Sequence, residues 1–469
     1  MAETYTSDLF QDAADNLERY LEELCEFLRI PGISACPDSG QAMAESCRWF
    51  LEKLERMGFS GQLCQTEGWP VVLARYEYGP SAPTLVIYGH YDVQSPEPLE
   101  KWITPPFEPT VRDGALYARG VNDDKGQVYT YLAALESYRR CRGDIPLNIT
   151  FVVEGEEEVG SKGLLKLLRE RPEWFRGDMF LVSDSSMFSK ELPAVTCGFR
   201  GIMAMQIQLQ TMKQDLHSGL FGGIVRNAPE VLVQLLAKCK DEEGRVLIPG
   251  FYDQVRPLSQ RERDTLARLP QDEEKLAERI GAPRLYGETG YTAAERKCAR
   301  PTLDINGIWG GYLGEGSKTV IPCVASAKLS ARLVPDQRPE EIYAKFEAFI
   351  RSQLPPDVQV TMEYQFGAMP VLIDDSDPNV QLAAHAIEMG FGREPVLIRS
   401  GGTVHIISEI KERLGIPSIL ILGWGRPENG SHAPNEHFYV EDFEKAVKSL
   451  CALFAQLAEP RPNEEGSAL

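Results

Sequence analysis

The pattern of apolar and polar positions in the first part of the chain predicts helices that alternate with short strands. Helical periodicity covers Asn16 to Leu28, and an apolar run at Thr84 to Tyr88 is followed by a predicted helix after Gly126. Two further apolar runs, LNITFVV and DMFLVSD, have the length of strands. Apolar strands that alternate with amphipathic helices are typical of an α/β sheet covered by helices.

From Gly201 the pattern changes to that of a compact α+β unit. GIMAMQIQLQ and ASAKLSARLV have the character of strands, and a charged, irregular stretch from Asp241 to Arg300 lies between them. After about Met369, helical periodicity and apolar strands return. A chain of 469 residues is also longer than a single hydrophobic core usually supports.

These changes predict two domains and an α/β fold class. The first domain, with a central mixed sheet covered by helices, comprises residues 1–200 and 370–469. An α+β domain of residues 201–369 is inserted into it. The last ten residues, 460–469, are expected to form a solvated tail.

Charge, the N-terminal sequence, apolar length and cysteine spacing together indicate where the protein is located and which partners it lacks. The formal net charge of -20 disfavours binding to nucleic acid or to an anionic membrane surface. The N-terminus lacks the features of a secretory signal, and the longest apolar stretch, around Ile416 to Trp424, is too short to span a bilayer. The ten cysteines show no paired spacing. We therefore expect a cytoplasmic protein without nucleic-acid or membrane partners.

Candidate chemistry begins where a predicted strand ends. The apolar run at Thr84 to Tyr88 continues into Gly-His90-Tyr-Asp92, so an imidazole lies at the carboxyl end of a strand, where open α/β sheets build their sites. Asp92 lies two residues further, on the same side of an extended chain, and could hold the second ring nitrogen. A single His-x-Asp pair is weak evidence by itself.

Four more polar clusters are candidates, and four of the five clusters in total plainly follow apolar strands. Asp123 and Asp124 lie between a short strand and a helix, where an N-cap explains one carboxylate but not both. The segment EGEEEVGS places four carboxylates after an apolar strand, and these repel one another unless a cation neutralises them. Asp184 follows the next strand, and His432 lies in a late polar segment. Loop polarity explains each cluster alone, but not all of them together.

The clusters together predict a metal site at one edge of the sheet. Imidazole and carboxylate ligands suit zinc, manganese or cobalt, whereas calcium prefers oxygen ligands alone and structural zinc usually binds cysteine. Five ligands with one shared aspartate would give each of two ions about three protein bonds, which leaves a position for water. Such an open position is what metal-assisted hydrolysis needs.

The motifs GHYDV, GVNDDKG, EGEEEVGS, DLHSG and NGSHAPNE resemble, in this order, those of the M20 metallopeptidases, in particular the carnosinase and cytosolic dipeptidase branch. The resemblance implies two divalent metal ions per subunit, zinc first, with manganese or cobalt as alternatives. The implied ligands are His90, Asp123 and Asp184 for one ion, and Asp123, Glu158 and His432 for the other. A cis peptide bond after Asp123 is also implied.

The same resemblance assigns catalytic roles beside the metal ligands. Glu157 would act as the general base, because a carboxylate next to a ligand can accept a proton from the attacking water and return it to the leaving amine. Asp92 is a further catalytic candidate, on the separate ground that its position in the chain lets it orient His90. Glu156 leaves open a register shifted by one residue, in which both the base and the ligand would be assigned to the wrong glutamates.

The inserted domain corresponds, by this resemblance, to a lid and dimerisation domain, which implies a homodimer. His217 would reach in from the partner subunit to stabilise the oxyanion. Arg332 would bind the terminal carboxylate of the substrate, for which its planar fork has the fitting geometry. The further substrate contacts implied are Thr319, Gly402 and Thr403.

The predicted function is hydrolysis of amide bonds in dipeptides or short peptides with a free C-terminal carboxylate. The alternative within the same chemistry is an N-acyl-amino-acid deacylase. A binding protein that has lost catalysis is disfavoured, because every implied ligand and the base are present. A phosphoesterase is disfavoured, because an acidic chain offers little to several phosphates.

Overall fold

The computed structural model describes residues 2–269 and 272–459. The contacts between residues divide the chain into two compact units. The first unit runs to Cys197 and also includes Ile373–Ile398 and the chain from Glu409 onward. The second unit comprises Gly198–Leu372 and Arg399–Ser408. The expected tail at 460–469 lies outside the described residues.

One segment corrects the domain boundaries predicted from the sequence. Residues 399–408 fall within the predicted first domain, but by their contacts they belong to the second unit. Arg200 Nε donates a hydrogen bond to the carbonyl oxygen of Gly401 at 3.1 Å, and Thr403 Oγ1 donates one to the carbonyl oxygen of Arg200 at 2.6 Å. These partners are about two hundred positions apart in the chain, so the local apolar pattern does not reveal them.

Strands and helices alternate along most of the first unit, as the apolar pattern predicts. In chain order, the strands of both units are β1 (Ser60–Cys64), β2 (Val71–Tyr76), β3 (Thr84–His90), β4 (Thr110–Arg112), β5 (Ala115–Tyr117), β6 (Asn148–Glu154), β7 (Met179–Val182), β8 (Ala194–Phe199), β9 (Gly201–Gln210), β10 (Leu216–His217), β11 (Thr302–Gly310), β12 (Val320–Ile321), β13 (Val324–Leu333), β14 (Gln359–Ala368), β15 (Val371–Leu372), β16 (Val396–Ser400), β17 (Ser418–Gly423) and β18 (His437–Tyr439).

The helices are α1 (Ala2–Asp15), α2 (Leu17–Leu28), α3 (Gly40–Arg56), α4 (Lys125–Arg142), α5 (Lys162–Glu170), α6 (Ser218–Phe221), α7 (Ala228–Ala237), α8 (Gln260–Arg268), α9 (Glu273–Arg279), α10 (Ala293–Ala299), α11 (Pro339–Gln353), α12 (Pro378–Phe391), α13 (His405–Leu414) and α14 (Val440–Ala458). Three of them, α8 to α10, lie in the stretch that the sequence predicts to be irregular. Two of those three begin with a capping box, in which a hydroxyl and a glutamate satisfy backbone N–H groups at the helix start.

A nine-stranded mixed sheet, most of whose strands belong to the first unit, confirms the predicted fold class. The strand order is β1-β2-β6-β3-β7-β17-β8-β15, and β16 also pairs with β8. Strands β6, β3, β7 and β17 run parallel and are buried along nearly their whole length. Helices α3, α4 and α12 pack against the sheet. Because helices cover the parallel strands, these strands appear in the sequence as continuous apolar runs.

Helix α4 is central to the first unit. It packs against α1, α2 and α14 and against strand β3. The helix begins at Lys125, directly after Asp123 and Asp124, and a Cβ atom at Gly126 would lie only 1.8 Å from the carbonyl oxygen of Val121. Only glycine allows this close approach of the turn to the first turn of the helix. The tight turn that contains Asp123 therefore leads directly into a helix that is packed on several sides.

The second unit contains a four-stranded antiparallel sheet in the order β11-β13-β9-β14. Helices α7 and α11 pack against it, and apolar side chains from β9, β13 and α11 form its core. Strand β11 lies at an edge, and Ile305, Ile308 and Trp309 on it are exposed. A separate pair of short strands, β10 and β12, places His217 opposite Val320.

The described residues bear on two predictions from the sequence, which concern membrane-spanning segments and the state of the cysteines. No helix in residues 2–269 and 272–459 has both the length and the apolar character that crossing a membrane requires. All ten cysteines lie within these residues, and each is a free thiol. Their scattered spacing in the sequence predicts unpaired thiols, and the structure agrees.

Candidate metal centre

Four parallel strands end at the same edge of the large sheet, and each is followed by a candidate side chain. His90 is the last residue of β3, and Asp184 follows β7 by two residues. Glu158 lies in a short 3₁₀ turn after β6, and His432 lies in the loop after β17. Because β6, β3, β7 and β17 are neighbours in this order, these loops lie side by side.

Asp123 reaches the same edge by a different route. It follows β5, which pairs antiparallel with β18 in register His437 to Tyr117. The chain that leaves β5 therefore runs beside the chain that enters β18, and His432 lies on that entering segment. The peptide bond between Asp123 and Asp124 is cis, as the resemblance implies.

The structure brings the five implied ligands together in two groups that share Asp123. Possible ligand atoms of His90, Asp123 and Asp184 all lie within 4.8 Å of one another, and those of Asp123, Glu158 and His432 do the same. Asp123 Oδ1 lies 3.1 Å from His90 Nε2, and Asp123 Oδ2 lies 3.0 Å from His432 Nε2. The two oxygens of one carboxylate thus face two different imidazoles.

The carboxylates of this edge are crowded and buried. Burial raises the pKa of Asp184, and the charge of Asp123 raises it further. Burial alone would raise the pKa of Asp123, but hydrogen bonds from His432 and His90 hold it below its usual value. Glu158 Oε1 is buried and has no hydrogen-bond partner among the described residues. A divalent cation in each group would offset the repulsion between the carboxylates and give Glu158 Oε1 a partner. Each group offers one imidazole nitrogen and two carboxylates, a donor set that suits zinc, manganese or cobalt.

Asp92 lies where it can orient His90. Its Oδ1 is 3.3 Å and its carbonyl oxygen 3.1 Å from His90 Nδ1, and both side chains are fully buried. With Nδ1 occupied in this way, Nε2 is the nitrogen that faces Asp123. Asp92 Oδ2 also accepts a hydrogen bond from the backbone N–H of Glu158 at 3.2 Å. Asp92 therefore holds a histidine and a glutamate of different groups.

The structure distinguishes the three consecutive glutamates of the EGEEEVGS segment. Glu156 Oε2 accepts a hydrogen bond from the backbone N–H of Gly163 at 3.0 Å, in the first turn of α5. Glu158 lies 3.1 Å from His432 and belongs to the second group. Glu157 belongs to neither group. Burial raises its pKa, the carboxylates of Asp184 and Glu158 add to the rise, and His90 opposes it.

In the second unit, the implied substrate residues form two separate pairs of contacts. Arg332 Nη1 donates to Thr403 Oγ1 at 2.7 Å, and the backbone N–H of Gly402 donates to Ser400 Oγ at 3.2 Å in the same turn. Among the described residues, Arg332 makes no ion pair with a carboxylate. Burial lowers the pKa of the Arg332 guanidinium. A buried cation of this kind is stabilised when an anion binds beside it.

The second pair of contacts involves His217. Its Nδ1 accepts a hydrogen bond from the backbone N–H of Gly219 at 3.0 Å, and the side chain is exposed. The backbone N–H of Ser218 donates to the carbonyl oxygen of Thr319 at 3.1 Å. The pairing of β10 with β12 therefore holds the loops of His217 and Thr319 side by side.

Sequence reasoning missed several residues that support the ligands. Gln94 Nε2 donates to Glu158 Oε2 at 3.0 Å, and Asn122 Nδ2 donates to Ser431 Oγ at 2.7 Å. Glu436 accepts hydrogen bonds from the turn that precedes Asp123. Asn122 and Glu436 lie inside the motifs GVNDDKG and NGSHAPNE, so the signal available was their position beside the predicted ligands.

Comparison with known proteins assigns the chain to a family. The model of Peptidase family M20/M25/M40 matches residues 86–456. Beta-Ala-His dipeptidase of Rattus norvegicus is 32% identical over 403 residues, which cover 83% of this chain and 80% of that protein. The Cys-Gly metallodipeptidase dug1 of Schizosaccharomyces pombe is 29% identical over 462 residues, with 95% and 97% covered.

A solved structure agrees with these sequence matches. The M20 family metallo-carboxypeptidase Sso-CP2 of Sulfolobus solfataricus superposes with a TM-score of 0.81 at 30% identity, covering 94% of this chain and 99% of that one. The family model spans every segment that supplies the two groups of side chains, from His90 to His432. This chain therefore belongs to Peptidase family M20/M25/M40.

Proposed function

We propose that this chain is a metal-dependent dipeptidase that cleaves the amide bond of dipeptides or short peptides with a free C-terminal carboxylate. The observation that supports this most directly is the pair of side-chain groups joined by Asp123, each with one imidazole and two carboxylates. Two relatives are named as dipeptidases and a similar structure as a carboxypeptidase. The N-acyl-amino-acid deacylase alternative is not favoured by these relatives.

We further propose which residues hold the metal ions. His90, Asp123 and Asp184 would hold one divalent ion, and Asp123, Glu158 and His432 the other. Zinc suits this donor set best, with manganese or cobalt as alternatives. When bound, such a pair supplies Lewis acidity, which lowers the pKa of water and polarises a carbonyl group. Asp92, by contacting His90 Nδ1, would leave Nε2 on the side of Asp123 as the nitrogen available to a metal ion.

Glu157 is the proposed proton carrier. Its carboxylate is next in the chain to Glu158 but lies outside both groups, so it is free to accept the proton of the attacking water and return it to the leaving amine. Burial among other carboxylates raises its pKa, which favours proton uptake. Glu156 cannot take this role in the same conformation, because its carboxylate holds the start of α5.

Arg332 is proposed to bind the C-terminal carboxylate of the substrate, together with the turn of Gly402 and Thr403. Its guanidinium is anchored by Thr403 and lacks a carboxylate partner among the described residues. His217, with Thr319 beside it, is proposed to stabilise the oxyanion that forms at the carbonyl.

We also propose that the chain is a homodimer in which the second unit supplies the interface. The edge strand β11 exposes Ile305, Ile308 and Trp309, and unpaired edges with apolar side chains favour association with a second copy. The partner subunit would then supply His217 to the active site. The cytoplasmic location stays a prediction from the sequence.

The first prediction tests the activity itself. Purified protein should hydrolyse dipeptides such as Cys-Gly or β-Ala-His faster than N-acetyl amino acids, measured by release of the free amino acid. Exhaustive chelation should abolish this activity, and Zn²⁺, Mn²⁺ or Co²⁺ should restore it. Full activity of chelated, metal-free protein would refute the proposal, and faster cleavage of N-acetyl amino acids would favour the deacylase alternative.

The second prediction concerns Glu157. Glu157→Gln should lower kcat by about 10²- to 10⁴-fold, because the proton acceptor is lost. Metal content measured by elemental analysis should stay at the wild-type level, since Glu157 lies outside both ligand groups. The matched control is Glu156→Gln, which removes a neighbouring carboxylate that contacts α5 and should keep most of the activity. A larger loss of activity in the control would mean that the register is shifted by one residue.

The third prediction concerns recognition of the carboxylate. Arg332→Met should raise KM for a dipeptide by about 10- to 100-fold, because a charge-assisted hydrogen-bond pair is lost. The same variant should not change KM for the corresponding dipeptide amide, which has no terminal charge. Lys328→Met is the matched control, because Lys328 is an exposed cation on the same strand β13. An equal effect on dipeptide and amide would contradict the assigned role.

The fourth prediction tests whether His217 acts across a dimer. His217→Ala and Glu157→Gln should each have little activity alone. After subunit exchange, the mixture should regain about a quarter of the wild-type activity, since half of the dimers are mixed and each has one intact site.

The control for this experiment uses the proposed interface. Ile308→Glu, added to both variants, should yield monomers by light scattering, and their mixture should stay inactive. The mutation Ile103→Glu replaces another exposed apolar residue, in the first unit, and should leave the dimer intact. Mixtures that never regain activity, although mixed dimers form, would show that His217 does not act in trans.

A further inference from the structure

Glu436 is a fully buried carboxylate that belongs to neither ligand group. It lies four residues after His432, directly before strand β18. Its Oε1 accepts hydrogen bonds from the backbone N–H groups of Asn122 at 2.8 Å and Asp123 at 3.0 Å. Its Oε2 accepts one from the backbone N–H of Gly120 at 2.9 Å. One side chain thus binds three backbone donors of the turn that ends at Asp123.

Arg119 completes this arrangement from the other side. Its Nη1 donates to Glu436 Oε2 at 2.7 Å, and the two side chains form a fully buried ion pair. Arg119 Nη2 lies 3.3 Å from the carbonyl oxygens of Ser95 and Ala433. Ser95 follows Gln94, which donates to Glu158. Arg119 and Glu436 therefore connect three loops, and each of these loops contains a proposed ligand or contacts one.

The geometry explains why a carboxylate is needed here rather than an amide. Four donors converge on Glu436, and only an ionised carboxylate offers acceptor sites to all of them. The amide of a glutamine would place an NH₂ group against a backbone N–H or the guanidinium of Arg119. At least one buried donor would then lose its partner, and the turn would have to move to satisfy it.

The orientation of Asp123 depends on this turn. The N–H that Asp123 donates to Glu436 fixes the peptide plane before it, and the Asp123 carboxylate then faces His90 on one side and His432 on the other. Two further hydrogen bonds, from Asn122 to Ser431 and from Asn429 to Asn122, hold the same two segments together. A small rotation of the turn would move both Asp123 oxygens away from their partners.

We infer that Glu436 is a positioning residue for the metal pair: by binding the backbone N–H groups of Gly120, Asn122 and Asp123, it sets the orientation in which the Asp123 carboxylate can bridge two ions. This inference rests on the proposed ligand set. Glu436 would act through Asp123, since it belongs to neither ligand group itself. Its effect reaches both metal positions at once, because Asp123 is the one ligand that the two groups share.

The positioning role of Glu436 differs from a contribution to stability alone, and the experiment has to distinguish the two. Loss of any buried ion pair destabilises a protein, so a lower Tm alone decides nothing. Glu288 offers the matched control, because it is another buried carboxylate, it receives two hydrogen bonds of 2.7 Å from Arg300, and it lies in the second unit. Glu288→Gln makes the same chemical change without touching the turn of Asp123.

The experiment measures Zn²⁺ affinity directly, by competition of the metal-free protein with a chromophoric chelator. Glu436→Gln should weaken Zn²⁺ binding by about 10- to 100-fold, which is typical for residues that orient metal ligands. Glu288→Gln should keep the wild-type affinity even if its Tm falls. At saturating Zn²⁺, Glu436→Gln should lower kcat more than it changes KM, because the ions and not the substrate pocket are displaced.

A second variant keeps the test decisive if Glu436→Gln does not fold. Glu436→Asp keeps the charge but withdraws the oxygens by one methylene group, and it should also weaken Zn²⁺ binding. If the folded Glu436 variant binds Zn²⁺ as tightly as Glu288→Gln does, the inference is wrong. Wild-type protein that binds no Zn²⁺ at all would instead overturn the proposed metal site, so the two failures are distinguishable.

Discussion

The carboxylate of Asp123 between two imidazoles is the interaction on which the rest of the site depends. Its two oxygens lie 3.1 Å from His90 and 3.0 Å from His432, side chains that come from opposite ends of the chain. Each group of three possible ligands includes Asp123, so neither group exists without it. The parallel order of β6, β3, β7 and β17 and the pairing of β5 with β18 together make this meeting possible.

Such a site has an energetic cost, which the surrounding fold offsets. Burial raises the pKa of Asp184 and of Glu157, so these carboxylates resist ionisation unless a positive charge is near. The unit tolerates this crowding because the parallel strands beneath it are almost entirely buried and apolar. A stable sheet therefore holds polar side chains at its edge in an arrangement that suits cation binding better than it suits stability.

The fold could be predicted from the sequence where apolar periodicity is strong and local. Helices α2 and α4 and strands β3, β6 and β7 lie within a few residues of the segments that the pattern indicates. The helices in the charged stretch after Asp241 are harder to predict from the sequence, because short surface helices have little apolar periodicity. The capping boxes at Ser259 and Thr292 are nevertheless visible in the sequence. The placement of residues 399–408 depends on hydrogen bonds to Arg200, and no local pattern encodes them.

Some residues of the candidate site can also be predicted from the sequence and others cannot, but here the difference lies in the chemistry of their contacts. Side chains that could bind a cation have recognisable types, so the clusters that contain His90, Asp123, Glu158, Asp184 and His432 could be located from the sequence. The choice of these residues within each cluster came from the resemblance to the family motifs. Glu436 could not be selected in this way, because most of its partners are backbone N–H groups, which every residue except proline possesses. A carboxylate that binds backbone donors has no distinctive pattern in the sequence. Only the antiparallel path of β5 beside β18 makes its role apparent.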